Sequence, residues 1–504
     1  MVVLDSIFEF LEENSVGRIK HGGAATDSIL LVMVKVITTL LSLVITKLVT
    51  TGFSVEDYGI YSQVLLVSTT ATSITILGLT DATNYFFNRN KDDYSQKNYI
   101  NTIFGLQVLI GTLCAVVILL STKQLISFFG NESIAWYVPW IAIMPVLSNL
   151  LNMIQVLFIS CKKGKVIAIR NCVLAFIKLA YMTIACLVVK EIKFVVISLV
   201  VVDFATVLYM FWYFSRIQFQ IHPLKIDVKL IKEILAFSIP MAAYIAINSL
   251  SRNLDKGIIA YFGNTSELAV YSVASKELPL DLFTASFVTV LYPYIIRFVA
   301  REKKKAAAQV LALYVQLSYT VTWLVAFCAL VASEDLFLLL YDRKYLVGIT
   351  VFIVYIWVDV FRFANTTVVF SACGKSNWIM YFSVVSLSVN AIVSIFSYKV
   401  IGMLGPAITT AGVTALSGIY MLWKSGRLLE CPFFKILDIK HLLVLLIELV
   451  VSGVLADWIR SHFLMEFNYF IRLVITCFCF FIPAFALNIK YILNLLKRIN
   501  EISD

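Results

Sequence analysis

Apolar residues run along this chain in blocks of about 20, broken by short polar connections, from near Ile29 to near Asn488. A helix needs a block of about that length to cross a bilayer. The blocks predict spans at 29–51, 58–80, 98–120, 135–160, 166–189, 193–214, 237–262, 266–298, 307–332, 349–373, 377–399, 402–423, 441–463 and 469–490. The eighth is long, and Pro279 and Pro293 predict kinks in it. A membrane β-barrel would instead alternate apolar and polar positions over ~10-residue segments, and none are seen. The fold class is an all-α polytopic membrane protein of about 14 transmembrane helices.

Composition agrees. The 504 residues are 60% hydrophobic and only 14% charged, with mean hydropathy +0.89. Residues 1–27 lack the basic start, apolar core and cleavage site of a secretory signal. Leu4, Ile7, Phe8 and Leu11 fit one helical face, so this segment is predicted to be a short surface helix or a loose tail on the cytoplasmic side. Nine scattered cysteines show no metal-ligand spacing and are predicted to be small buried hydrophobes. The net charge of +10 is explained by topology. Of 41 Lys and Arg, 26 fall on the termini and alternate loops and 7 on the opposite loops, which places both termini in the cytoplasm. No nucleic-acid partner is needed to explain the basic excess.

The chain repeats itself. An offset of 210 aligns Tyr61-Ser62 with Tyr271-Ser272 and Gly164-Lys165 with Gly374-Lys375. At the same offset the polar stripe Asn149, Asn152, Gln155 falls on Asp359, Arg362, Asn365. Six spans separate the copies. Both halves therefore enter the membrane from the same side, and two six-helix lobes are predicted about a pseudo-twofold axis along the membrane normal, with the substrate site at their interface. The predicted organisation is a cytoplasmic segment at 1–27, an N-terminal lobe at 28–215, a linker at 216–236, a C-terminal lobe at 237–424, and a helix pair with tail at 425–504. In the linker, Leu224, Val228, Ile231 and Leu235 recur at helical spacing beside Lys225, Lys229 and Lys232. Two readings fit: an amphipathic helix on the inner surface, or an extension of the seventh span.

Ionisable groups at bilayer depth cost about 2.5–3.5 kcal/mol each on insertion scales, so they face a bundle interior or a wet cavity. Residues 239–281 carry Arg252, Asp255, Lys256, Lys276, Glu277 and Asp281. Asn248, Arg252, Asp255 and Lys256 fall within one helical wedge. The first span offers Lys35, Thr39, Ser42 and Thr46 on one face, with Lys47 beside it, and the second a hydroxyl run that includes Thr69 and Ser73. The simplest construction is a central water-filled cavity of net positive charge. Lys35, Lys47, Arg252, Lys256, Lys276 and Arg362 would bind an anionic head group: carboxylate, phosphate or diphosphate. Asp255, Glu277, Asp281 and Asp359 are candidates for a coupling proton or sodium ion. Thr39, Ser42, Thr69, Ser73, Asn149, Asn152, Asn248 and Asn365 would supply polar lining. The alternative is structural: Arg252–Asp255 and Asp359–Arg362 neutralise each other as i,i+3 pairs, and Lys47 snorkels outward.

There is no P-loop, no GxGxxG and no zinc spacing among His21, His222, His441 and His462. The longest outer connections, near Lys123 and Arg343, are too short for the donor- and acceptor-binding domain of a membrane glycosyltransferase. The chain is therefore read as a transporter with no cofactor, no resident metal and no catalytic residue.

Polarity in spans 1, 2, 7 and 8, matched turns at Asp57-Tyr58-Gly59-Ile60-Tyr61-Ser62 and Glu267-Leu268-Ala269-Val270-Tyr271-Ser272, and Gly-Lys after spans 4 and 10 resemble the polysaccharide transporter family. These are the O-antigen and capsule-unit flippases of the multidrug/oligosaccharidyl-lipid/polysaccharide exporter superfamily. The resemblance covers about residues 25–425 and implies an alternating-access flippase in the bacterial cytoplasmic membrane. It implies a polyprenyl-diphosphate-linked oligosaccharide as substrate, ion coupling, and contact with membrane lipids and other polysaccharide-assembly proteins. Arg252 and Lys256 would then engage the diphosphate. Two rivals remain: a multidrug or metabolite antiporter on the same fold, whose cavity should be acidic, and a non-transporting scaffold, whose polar stripes should tolerate alanine.

Overall fold

The computed structural model describes residues 24–89, 92–363 and 367–503. They form helices, with no strand among the described residues. The helices are α1 (Ala24–Gly52), α2 (Val55–Thr75), α3 (Leu79–Arg89), α4 (Asp93–Leu120), α5 (Thr122–Phe129), α6 (Val138–Ser160), α7 (Gly164–Ile184) and α8 (Ile192–Ile217). Then come α9 (Val228–Phe262), α10 (Thr265–Ala274), α11 (Asp281–Ala300), α12 (Lys304–Val331), α13 (Ser333–Leu340), α14 (Ile349–Phe361) and α15 (Thr367–Ala372). The chain closes with α16 (Ser376–Ile401), α17 (Leu404–Leu428), α18 (Phe433–Leu437), α19 (Ile439–Phe463) and α20 (Tyr469–Ser503).

Twelve stretches among the described residues are long and apolar enough to cross a membrane. The predicted eighth and twelfth spans fall on α11 and α17, which are helical over 20 and 25 residues. The eighth is broken, not merely kinked. Residues 275–280, including Pro279, separate α10 from α11, whereas Pro293 is absorbed inside α11. All nine cysteines are free. Only Cys186 and Cys328 are fully buried, so the prediction of nine buried thiols was too broad.

The repeat is visible element by element. A short helix, a 3₁₀ turn and a long helix (α5, Glu132–Tyr137, α6) recur as α13, Arg343–Gly348 and α14. The offset drifts, however. First residues differ by 210 at α2 and α10, by 211 at α4 and α12 and at α6 and α14, and by 212 at α7 and α16 and at α8 and α17. The predicted constant 210 holds only at the first hairpin. Gly164 opens a helix, while Gly374 sits in the turn before one, with φ +68°. Its true counterpart is Lys162, at φ +56°. The two turns share their bonds: Lys162 N–H to Ile159 O and Lys163 N–H to Phe158 O, against Gly374 N–H to Ser371 O and Lys375 N–H to Phe370 O. Each turn begins with a cysteine, Cys161 or Cys373.

The chain forms two compact units. The first runs to Asn253 and also takes in Asn264–Ala269; the second comprises Leu254–Gly263 and everything from Val270 onward. In the first, α6 is the central helix, packed against α2, α3, α4 and α8. Gly59 lets two backbones approach: a Cβ there would stand 2.3 Å from Thr265 O. In the second, α12 is central and packs against α11, α14, α19 and α20. It is 78% buried over its apolar window, against 39% for its counterpart α4, because the C-terminal pair covers it. An ionic clip holds that pair. Asp335 on α13 is fully buried and receives Arg460 Nε at 2.8 Å and Arg472 Nε at 2.5 Å. Of the two readings for residues 216–237, the structure has the continuous helix: 218–227 is non-helical and α9 begins at Val228.

Candidate functional site

The end of α9 carries the acid that sequence reasoning singled out. Asp255 is 3% exposed. Its Oδ2 accepts three hydrogen bonds within the second unit: from Tyr271 Oη at 3.0 Å, Tyr355 Oη at 2.8 Å and Thr410 Oγ1 at 2.7 Å. A second layer steadies the threonine: Asn390 Nδ2 donates to Thr410 Oγ1 at 3.1 Å, and Ser394 Oγ donates to Asn390 Oδ1 at 2.9 Å. Four helices, α10, α14, α16 and α17, thus close on one carboxylate. Its other oxygen, Oδ1, is buried without a hydrogen-bond partner. A buried charge with an unsatisfied oxygen is costly unless a proton or cation completes it. The arrangement can therefore bind a small cation or a proton.

Lys256, next to this acid, is half-buried, and Arg252 is exposed. The predicted neutralising pairs do not form. Asp255 has the hydroxyl partners above, and Arg362 pairs with Glu277 at 2.5 Å. Asp359, 7% exposed, accepts Leu278 N–H at 3.2 Å. Glu277 is thus engaged in an ion pair outside the Asp255 cluster. Lys276 is half-buried. The side chain of Asp281 and all of Asn365 lie outside the described residues.

In the first unit, Lys35 is exposed and Lys47 half-buried. Thr39 and Ser42 donate to backbone oxygens one turn back in their own helix, at 2.8 and 2.7 Å. Asn248 is half-buried. The stripe on α6 is divided. Asn149 is buried and donates to Thr72 O and Thr75 Oγ1, Asn152 is exposed, and Gln155 accepts from Arg170 at 2.5 Å. The stripe does not line one surface. Thr69 and Ser73 do line a cavity of about 420 Å³ inside this unit, together with Thr72, Ser148, Lys178 and Asp203.

Tyr355, Thr410 and Asn390 were not anticipated; Thr410 and Asn390 come from spans that read as ordinary apolar helix, and Tyr355 from the span that carries Asp359 and Arg362. Tyr271 had a signal, since it is the tyrosine of the repeated turn motif.

Two repeated sets of helices, each holding a polar centre, make up the fold. Solved structures agree. The chain is similar to a lipid II flippase, MurJ, in an inward closed conformation, with TM-score 0.67 and 11% identity over 92% of this chain and 100% of that one. It is also similar to an inward-facing multidrug resistance MATE family transporter of the MOP superfamily, with TM-score 0.63 and 12% identity over 78% of this chain and 94% of that one. A MOP superfamily transporter from Pyrococcus furiosus described as having a binding pocket of reversed polarity matches with TM-score 0.53 and 12% identity, over 80% of this chain and 94% of that one. A search of curated proteins finds no sequence match. The chain belongs to the polysaccharide biosynthesis protein family, whose profile matches residues 24–299. The fold is one shared with solved multi-pass membrane transporters.

Proposed function

We propose that this protein is an alternating-access flippase for a polyprenyl-diphosphate-linked oligosaccharide, an O-antigen or capsule repeat unit, driven by a proton or sodium gradient. The observation that carries the reading is the combination of a polysaccharide-biosynthesis sequence family with a fold shared by a lipid flippase. The exposed Arg252 and the neighbouring Lys256 supply cationic donors suited to a diphosphate. Lys35, Lys47 and Lys276 extend that positive surplus, whereas Arg362 is balanced by Glu277. The unpartnered Oδ1 of Asp255 supports this carboxylate as the coupling site. The Lys and Arg asymmetry supports cytoplasmic termini in a bacterial inner membrane, where other polysaccharide-assembly proteins would be its partners.

Export of a cationic drug on the same fold is the rival reading. The surplus of basic over acidic candidates disfavours it.

Reconstitution into vesicles with a fluorescent polyprenyl-diphosphate glycan tests the proposal. Inside-to-outside movement should accelerate under an imposed proton or sodium gradient and stop in Arg252→Ala. Full transport in that variant would remove the diphosphate role. Full gradient response in Asp255→Asn would remove the coupling role.

A further inference from the structure

The cavity of the first unit has a chemistry of its own. Its volume of about 420 Å³ lies in the ~300–1,000 Å³ range of small-molecule sites. One wall is the hydroxyl run of α2, and those hydroxyls are committed in a particular sense. Thr69 Oγ1 donates to Leu65 O at 2.7 Å, Thr72 Oγ1 to Ser68 O at 2.7 Å, and Ser73 Oγ to Thr69 O at 2.9 Å. Each hydroxyl has one proton and two lone pairs. With the protons of these three hydroxyls spent on the helix backbone, the wall offers acceptors to the cavity: two lone pairs each on Thr69 and Thr72, and one on Ser73, whose Oγ already accepts from Ser249 Oγ at 2.6 Å. Asp203, from α8, adds a carboxylate to the same lining, and Lys178, from α7, adds a donor.

A ligand for such a surface needs several donors, at least one acceptor, and no strong net charge. A lone cation is disfavoured by the Lys178 ammonium and by a volume far larger than an ion needs. A polyhydroxylated ring meets every requirement: its hydroxyls donate to the threonine and serine oxygens and to Asp203, and another of its oxygens accepts from Lys178. We infer that this cavity is a sugar-binding subsite, taking one pyranose ring of the transported glycan within the N-terminal repeat. The inference rests on the flippase reading for its biological substrate, but not for its chemistry.

The test uses the full chain in lipid nanodiscs and saturation-transfer NMR. The probes are methyl glycosides of a neutral hexose, an N-acetylhexosamine and a hexuronate, with tetraphenylphosphonium as a lipophilic cation. At least one glycoside should receive saturation in the wild type. That signal should fall about tenfold in Asp203→Asn and in the near-isosteric Thr72→Val, as when a buried polar contact is lost. Thermal melting confirms that the variants fold, and Leu174→Trp, which fills the cavity from its apolar side, gives a second means of abolishing the signal. No transfer to any glycoside, equal transfer in all the variants, or an Asp203-dependent signal from tetraphenylphosphonium alone would each overturn the inference. Vesicle flipping separates the two claims. Glycan-lipid transport without glycoside binding sinks the subsite and leaves the flippase standing; glycoside binding without transport does the reverse.

Discussion

Helices α2, α6, α7 and α8 of the first repeat and α10, α14, α16 and α17 of the second occupy equivalent places in the chain, yet they enclose different chemistry. In the second repeat they close around Asp255 through Tyr271, Tyr355 and Thr410. At the offsets of the matching helices, the first repeat has Tyr61 for Tyr271, Met144 for Tyr355, Lys178 for Asn390, Ser148 for Asp359 and Ile45 for Asp255. The acid is gone, a rigid tyrosine has become a flexible thioether, and an amide has become an ammonium. The first repeat regains a carboxylate at Asp203, whose counterpart is Ala415. One scaffold has thus produced a shut carboxylate cluster in one copy and an open amphiphilic cavity in the other. Substitutions at a few inward positions suffice, because the backbone of each helix bonds to itself.

The largest contrast should appear at the clip. Asp335→Ala leaves Arg460 and Arg472 without their buried partner, an effect of about 3–5 kcal/mol. A marked drop in melting temperature in detergent is expected. Its counterpart Gln124 is exposed, so Gln124→Ala should leave melting unchanged. Equal effects would mean that the C-terminal pair is not held by this acid.

Next comes coupling. Asp255→Asn should lower gradient-driven transport about tenfold, within the ~5–150-fold span of coupling energies between sites. Its fold should persist, since the amide can still meet the three hydroxyls. Introducing the acid at Ile45 should not transfer coupling to the first repeat, where Met144 cannot donate a hydrogen bond.

The paired tyrosines make a finer test. Tyr271→Phe removes one of three hydrogen bonds to a carboxylate, about 1.5–3 kcal/mol. It should weaken the dependence of transport on the coupling ion. Tyr61→Phe has no facing acid at position 45, and the ion dependence should stay as in the wild type. If the two variants behave alike, the tyrosines serve the turn rather than the carboxylate.

The smallest effect belongs to an exposed pair. Arg89 Nη1 meets Glu233 at 2.9 Å, with side chains 54% and 43% exposed. Such pairs contribute little, so Arg89→Ala should melt with the wild type.

The spans and the repeat were legible because bilayer length and loop charge leave marks in one dimension. Asp255 was legible because an acid amid leucines is conspicuous. Its partners were not, for a physical reason. Thr410 lies 155 residues downstream, and only helix packing brings it to the acid. The register drift from 210 to 212 also hid the match between Lys178 and Asn390. Arg362, which is exposed, has a partner other than the one its spacing offered. Spacing favoured Asp359 on its own helix, while the fold offers Glu277 across 85 residues.

The twin turns after α6 and α15 have a practical meaning. Each opens with a thiol, Cys161 in one repeat and Cys373 in the other, so the chain carries a native pair of labelling sites at equivalent places. Burial pushes the Cys161 thiol up to about 11 and raises Cys373 as well. The thiolate is the reactive form. Maleimide labelling should therefore be slow at neutral pH and quicken as the pH climbs. With the other cysteines replaced by serine, spin labels at these two positions would form a molecular ruler spanning the repeats, and its reading in the presence and absence of glycan lipid would test whether the proposed substrate moves one repeat against the other.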